Sequence, residues 1–311
     1  MGTIPRIASG TVRLVVGTVL LVAVLVSVTL VGGAPPATAS GRPTVVVGES
    51  SWGSIVSQLA GNRATVTSIV TNPATDPHDY EPRASDGRRV AGARYVVLNG
   101  AGYDPWLRHL VDAERSSSRR VLDIGDLLHL RAGDNPHQWY DPDAVAVVAA
   151  RVADDLTAID PTHGAYFRDR LTTFLTDGLA EYHALIEQIR REHGGAPIGA
   201  SESIVAPLAH ALHLDLATPA SFLDAISEGT DPSAKDRVTI ERQIARREIR
   251  VFVYNSQNAT RDVRALVAKA RAAHIPVTTV TETLQPAKTT FQAWQVAQLR
   301  SLLRALGRAA A

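Results

Sequence analysis

The chain has 311 residues, with 32 Lys and Arg against 31 Asp and Glu; 20% of residues are charged and 45% hydrophobic. That balance leaves no basic footprint for nucleic acid, and the length supplies chain for two cores. There is no cysteine, which excludes disulfides, thiolate metal sites, cysteine nucleophiles and a cysteine-linked lipid anchor.

Residues 1–39 read as an export signal. Arg6 and Arg13 precede an apolar run from Leu14 to Val31, followed by Gly32-Gly33-Ala34-Pro35-Pro36 and the cleavage pattern Ala37-Thr38-Ala39. The run of 18 residues is near the lower limit for crossing a bilayer, so an uncleaved N-terminal anchor is the alternative to a cleaved signal peptide. Cleavage is favoured, and either outcome places the folded part outside the cytoplasm. Removing 1–39 takes two of the 32 basic residues and no acids, leaving 30 against 31.

Thr44-Val45-Val46-Val47-Gly48 reads as a buried first strand, followed by a helix around Trp52 to Leu59. Ala64 to Val70 is a second strand. It ends in a loop rich in proline and Asx residues, Thr71 to Pro82, which contains His78. A helix over Ala84 to Ala91, a strand Tyr95 to Leu98, a helix over Pro105 to Glu114 and a strand Arg120 to Asp123 follow. The loop Gly133 to Pro142, with His137, leads into a helix with apolar positions Val145, Val148, Val152 and Leu156.

The spacing then predicts one long helix from Thr162 to His193, capped by Asp160-Pro161 and stopped by Gly194-Gly195. Leu171, Phe174, Leu175, Tyr182, Leu185, Ile186 and Ile189 recur at three- and four-residue steps along it. Such a helix is about 45 Å long, which suits a strut between two halves. Beyond it the alternation resumes. Pro197 to Ala200, Ile249 to Tyr254 and Ile275 to Val280 are strands; Ile204 to Leu212, Arg237 to Arg247, Arg261 to Ala273 and Thr290 to Leu306 are helices. The expected fold class is α/β: two parallel-sheet lobes, 40–160 and 195–311, joined by a single long helix over 161–194.

In open α/β sheets ligands bind at the carboxyl ends of strands. His78, His137, Glu202 and Glu282 all lie just beyond predicted strands, and they come from both sides of the long helix. Two imidazoles and two carboxylates suit Zn²⁺, Mn²⁺ or Fe²⁺, and two carboxylates cancel the charge of a divalent ion. Successive members are 59, 65 and 80 residues apart, too far for a zinc finger. Taken one at a time the residues are ambiguous. Most of the ten histidines lie on or beside helices, and a lone Glu202 or Glu282 reads equally as a surface carboxylate or a helix N-terminal charge.

Asp76-Pro77-His78-Asp79-Tyr80-Glu81-Pro82, Asn99-Gly100-Ala101-Gly102-Tyr103-Asp104-Pro105-Trp106-Leu107 and Asn135-Pro136-His137-Gln138-Trp139 resemble the zinc/manganese-type solute-binding proteins of bacterial ABC transporters. The resemblance continues through Asp160-Pro161, Ser201-Glu202, Val253-Tyr254-Asn255-Ser256-Gln257 and Thr281-Glu282-Thr283-Leu284. It implies two lobes joined by one helix, with a single Zn²⁺ or Mn²⁺ in the cleft. His78 and His137 match the family's histidine ligands. Glu202 matches a third position that is His or Glu, and Glu282 a fourth that is Asp or Glu. The implied partners are a membrane permease and, through it, an ATPase subunit; the protein itself is expected to be a monomer and not an enzyme. Two departures stand out: there is no His-rich loop, and no cysteine for lipidation. The alternatives are an exported metal-dependent hydrolase, although no H-E-x-x-H signature occurs, and a surface adhesin or binder of a larger solute using Trp106 and Trp139.

Overall fold

A computed structural model describes residues 1–2, 41–73, 75, 77, 80–131 and 133–309. The expected signal over 1–39 therefore lies outside the described residues, apart from its first two. Among those described, no helix is long and apolar enough to cross a membrane.

The first half runs β1 (Thr44–Glu49), α1 (Ser50–Ala60), β2 (Thr65–Val70), α2 (Ala84–Ala91), β3 (Tyr95–Leu98), α3 (Pro105–Ala113), β4 (Arg120–Asp123), α4 (Ile124–Leu127) and α5 (Pro142–Ile159). Then come α6 (Gly164–Thr173) and α7 (Ala180–His193). The second half is β5 (Pro197–Ala200), α8 (Val205–Ala211), β6 (Asp215–Leu216), α9 (Ala220–Ser227), α10 (Ala234–Ala245), β7 (Val251–Asn255), α11 (Arg261–Ala272), β8 (Val277–Val280) and α12 (Phe291–Ala309). The strands form two four-stranded sheets, ordered β2-β1-β3-β4 and β6-β5-β7-β8. Every pairing is parallel. A parallel strand is covered on both faces, and Val45, Val46 and Val47 in β1 are all fully buried.

Local signals account for the helix starts. Asp141 accepts from the backbone of Asp143 and Ala144 to cap α5, with Pro142 in its first turn, and Thr260 accepts from Val263 to cap α11. Three elements escape the sequence pattern, among them the four-residue helix α4. β6 is a two-residue edge strand, and α9 has only eight residues, too few for its Phe222, Leu223 and Ile226 stripe to declare a period.

The expected single helix over 161–194 is a correction. The chain makes a 3₁₀ turn at Pro161–His163, then α6, then a π-helical turn at Phe174–Gly178, and α7 begins only after Leu179. Leu179 N donates to Phe174 O, five residues back, and the Thr172 and Thr176 hydroxyls donate to carbonyls four residues earlier. Such back-bonding and a glycine at 178 loosen the regular ladder, while the apolar period continues through it. Phe174, Tyr182, Leu185, Ile186 and Ile189 are buried as the spacing predicts.

A continuous apolar core runs from Val45 and Val47 through α1, α5 and α7 to Trp294 and Leu306. Phe291 is fully buried against Tyr182 and Trp294, with ring centroids 6.2 and 6.0 Å away. Burial of such a ring contributes about 1.5–3 kcal/mol. The segment before α12 also docks on α1 of the first half. Leu284 N donates to Ser50 Oγ at 3.1 Å and Phe291 N to Ser54 Oγ at 2.9 Å. The Gln58 and Gln292 amides exchange hydrogen bonds at 3.0 and 2.7 Å.

Candidate metal centre

Each sheet's strand order reverses between neighbours, β1 and β3 in one, β5 and β7 in the other, which opens a crevice at their carboxyl ends. Glu202 follows β5, Asn255 ends β7 and Glu282 follows β8. His137 lies in the loop between α4 and α5. His137, Glu202 and Glu282 are 0, 1 and 2% exposed, so all three are withdrawn from bulk water. His78 lies outside the described residues.

The Asn255 amide stands between the acids. Its Nδ2 donates to Glu202 Oε1 at 2.7 Å and to Glu282 Oε1 at 2.9 Å, one hydrogen to each. Asn258 Nδ2 donates to Glu202 Oε2 at 2.8 Å, so two amides hold the Glu202 carboxylate. Glu282 Oε2 accepts from Tyr103 Oη at 2.9 Å and lies 3.4 Å from His137 Nε2. Tyr103 and His137 come from the first half of the chain and the glutamates from the second.

The imidazole is oriented by its own loop. Asn135 Oδ1 accepts from His137 N at 3.0 Å and lies 2.9 Å from Nδ1. With the proton on Nδ1, Nε2 keeps its lone pair on the side facing Glu282. Asn135 Nδ2 reaches across to Ser203 O at 2.6 Å, tying this loop to the residue beside Glu202. The ring is boxed by Tyr103 and Trp139 at centroid distances of 5.8 and 5.4 Å. A cavity of about 660 Å³ opens onto His137, with Asn135, Ser203 and Asn258 on its wall.

The electrostatics follow from burial. Loss of water, and then the neighbouring Glu282 charge, push the Glu202 carboxyl up to about 8, against which His137 and the two amide donors act. Glu49, at the exit of β1, is a further buried carboxylate, raised well above its usual range by burial and then by Asp104, with a smaller effect from Glu282. Its Oε1 has no hydrogen-bond partner among the described residues. Acids crowded in this way hold protons that a divalent cation would displace. Among the described residues no three His, Asp or Glu side chains close on one point; an amide nitrogen separates the two glutamates.

Sequence reasoning singles out His137, Glu202 and Glu282, which the fold brings together. It gives no role to Tyr103, Asn135, Asn255, Asn258 or Glu49. Strand exits at the reversal points are the signal that finds Glu49 and Asn255, and an Asx residue two positions before His137 is the signal for Asn135.

Residues 45–305 match the family model of the periplasmic zinc-uptake complex component A, ZnuA. The chain belongs to that family. Among curated relatives, the manganese-binding lipoprotein MntA of Halalkalibacterium halodurans is 33% identical over 138 residues, 43% of this chain and 45% of its own. The manganese ABC transporter substrate-binding lipoprotein PsaA of Streptococcus pneumoniae is 26% identical over 52% of this chain and 56% of its own. The chain spans about half the length of these relatives. An Mn-bound periplasmic metal-binding protein of Candidatus Liberibacter asiaticus shares the fold at TM-score 0.71 and 16% identity, over 85% of this chain and all of that one. The Ni²⁺ complex of FpvC from Pseudomonas aeruginosa does so at 0.69 and 18%, over 87% and 99%.

Proposed function

We propose that the protein captures one divalent transition-metal ion, Zn²⁺ or Mn²⁺, outside the cytoplasm and delivers it to the permease of an ABC transporter, which an ATPase subunit drives. His137 Nε2 and the Glu202 and Glu282 carboxylates are the described ligands, and His78 is the fourth. The observation that carries this reading is the Asn255 amide nitrogen between two buried carboxylates, with an oriented imidazole beside one of them. The partial positive charge of an N–H₂ group there marks a position that suits a cation. A divalent ion in its place meets two negative charges and one or two neutral imidazoles, a borderline-to-hard set consistent with both metals. No bond is made or broken in this role. Family membership and the manganese-binding name of the relative MntA support it.

Elemental analysis of protein purified without added metal, followed by calorimetric titration of the stripped protein with Zn²⁺ and Mn²⁺, tests this. One equivalent is expected, lost in His137→Ala. Failure of both ions to bind stripped wild-type protein overturns the proposal.

A further inference from the structure

Gln257 joins two loops that the capture site needs. It lies just after β7, and its own N–H donates to Asn255 Oδ1 at 3.0 Å, so one short segment places both residues. Its Oε1 accepts from the backbone of Glu282 at 2.6 Å and of Thr283 at 3.0 Å. Its Nε2 donates to Pro73 O at 2.7 Å and Thr283 Oγ1 at 3.0 Å, with Thr75 O at 3.5 Å. The amide cannot be reversed. Two N–H groups require an oxygen and a carbonyl requires a donor, so only glutamine satisfies both sides with one side chain. Pro73 and Thr75 belong to the loop that carries His78, which comes from the first half of the chain, and Glu282 comes from the second.

We infer that Gln257 is a positioning residue that holds Pro73 and Thr75 against the Glu282 segment, so that these two stretches stay together and slow the escape of the bound ion. The inference rests on the metal-capture reading for its effect on the ion, and on the hydrogen bonds alone for its effect on the loops. Two substitutions separate the arms of the amide. Gln257→Glu keeps acceptors for Glu282 N and Thr283 N but turns an oxygen toward Pro73 O. Gln257→Met keeps the length and removes both arms. The glutamate also adds negative charge near the site, which by charge alone tightens cation binding. Faster release from that variant therefore cannot arise from charge.

The test is hydrogen exchange of the stripped full-length protein, followed by release of Zn²⁺ and Mn²⁺ into excess chelator. In Gln257→Glu, amides of the peptide spanning 71–83 exchange about tenfold faster, while those spanning 281–284 stay near wild type; in Gln257→Met both accelerate. Both variants release metal about tenfold faster while still unfolding in one cooperative urea transition. Unchanged exchange over 71–83 in Gln257→Glu, or wild-type release from both variants, overturns the inference. If wild-type protein binds neither ion while the exchange pattern is as stated, the metal-capture reading falls and the joining of the loops stands.

Discussion

Glu202→Gln separates a ligand from a carboxylate that merely fills space, and its effect on stability changes sign with pH. In the metal-free protein, burial and Glu282 hold the Glu202 carboxyl at about 8 against an ordinary 4.5. The folded state thus binds the proton more tightly than the unfolded state does. The corresponding stability is fully present below 4.5 and is lost as pH rises through about 8. At about 1.4 kcal/mol per pH unit, at most about 4–5 kcal/mol is involved. Glutamine does not ionise and escapes this loss. It has a cost of its own, because Asn255 Nδ2 and Asn258 Nδ2 both need acceptors and an amide has only one oxygen. One donor is left facing a donor, a penalty of about 1–3 kcal/mol. The variant is therefore more stable than wild type by about 1–3 kcal/mol at pH 8 and less stable by a similar amount near pH 4.5. Metal binding moves the other way. Removing one partner of a buried charge pair costs about 3–5 kcal/mol, or two to four decades of affinity. Urea denaturation of metal-free protein at the two pH values gives the first quantity, and calorimetric titration with Zn²⁺ and Mn²⁺ gives the second. Wild-type affinity in the variant, or a stability difference of one sign at both pH values, refutes the reasoning.

With Glu202 as a ligand, metal capture displaces the proton that burial and Glu282 hold there, and affinity is expected to fall by up to about tenfold per pH unit on acidification below about 8. Calorimetry at pH 6.5 in buffers of different ionisation enthalpy reads about one proton released; affinity that is constant from pH 5 to 8 disproves histidine and glutamate ligation. Tyr103→Phe keeps the buried ring and removes the donor to Glu282 Oε2, so metal affinity drops about tenfold or more; an unchanged titration removes Tyr103 from the site. The continuous core and the α1 contacts with the segment before α12 resist hinge bending, so scattering profiles of metal-free and loaded protein superimpose, and a large compaction on loading contradicts this.

The sequence alone determined the alternation of strand and helix, because buried parallel strands must be apolar throughout and helices must carry a 3.6-residue stripe; Val45 to Val47 and the Tyr182 to Ile189 face are legible for that reason. It also placed Glu202 and Glu282 just beyond strand ends, where parallel sheets bind ligands, whereas α4 stands between β4 and the His137 loop. Tertiary structure decided the rest. The π turn at Phe174–Gly178 breaks the long helix without disturbing its apolar period, so a stripe of spacings cannot reveal it. That Asn255 stands between two glutamates 80 residues apart, or that Gln257 reaches Pro73, depends on which strands are neighbours and in what order. The raised proton affinity of Glu202 and Glu49 has the same origin. A carboxylate's charge is written in the chain, but the water it loses and the charges it gains are properties of the packed crevice.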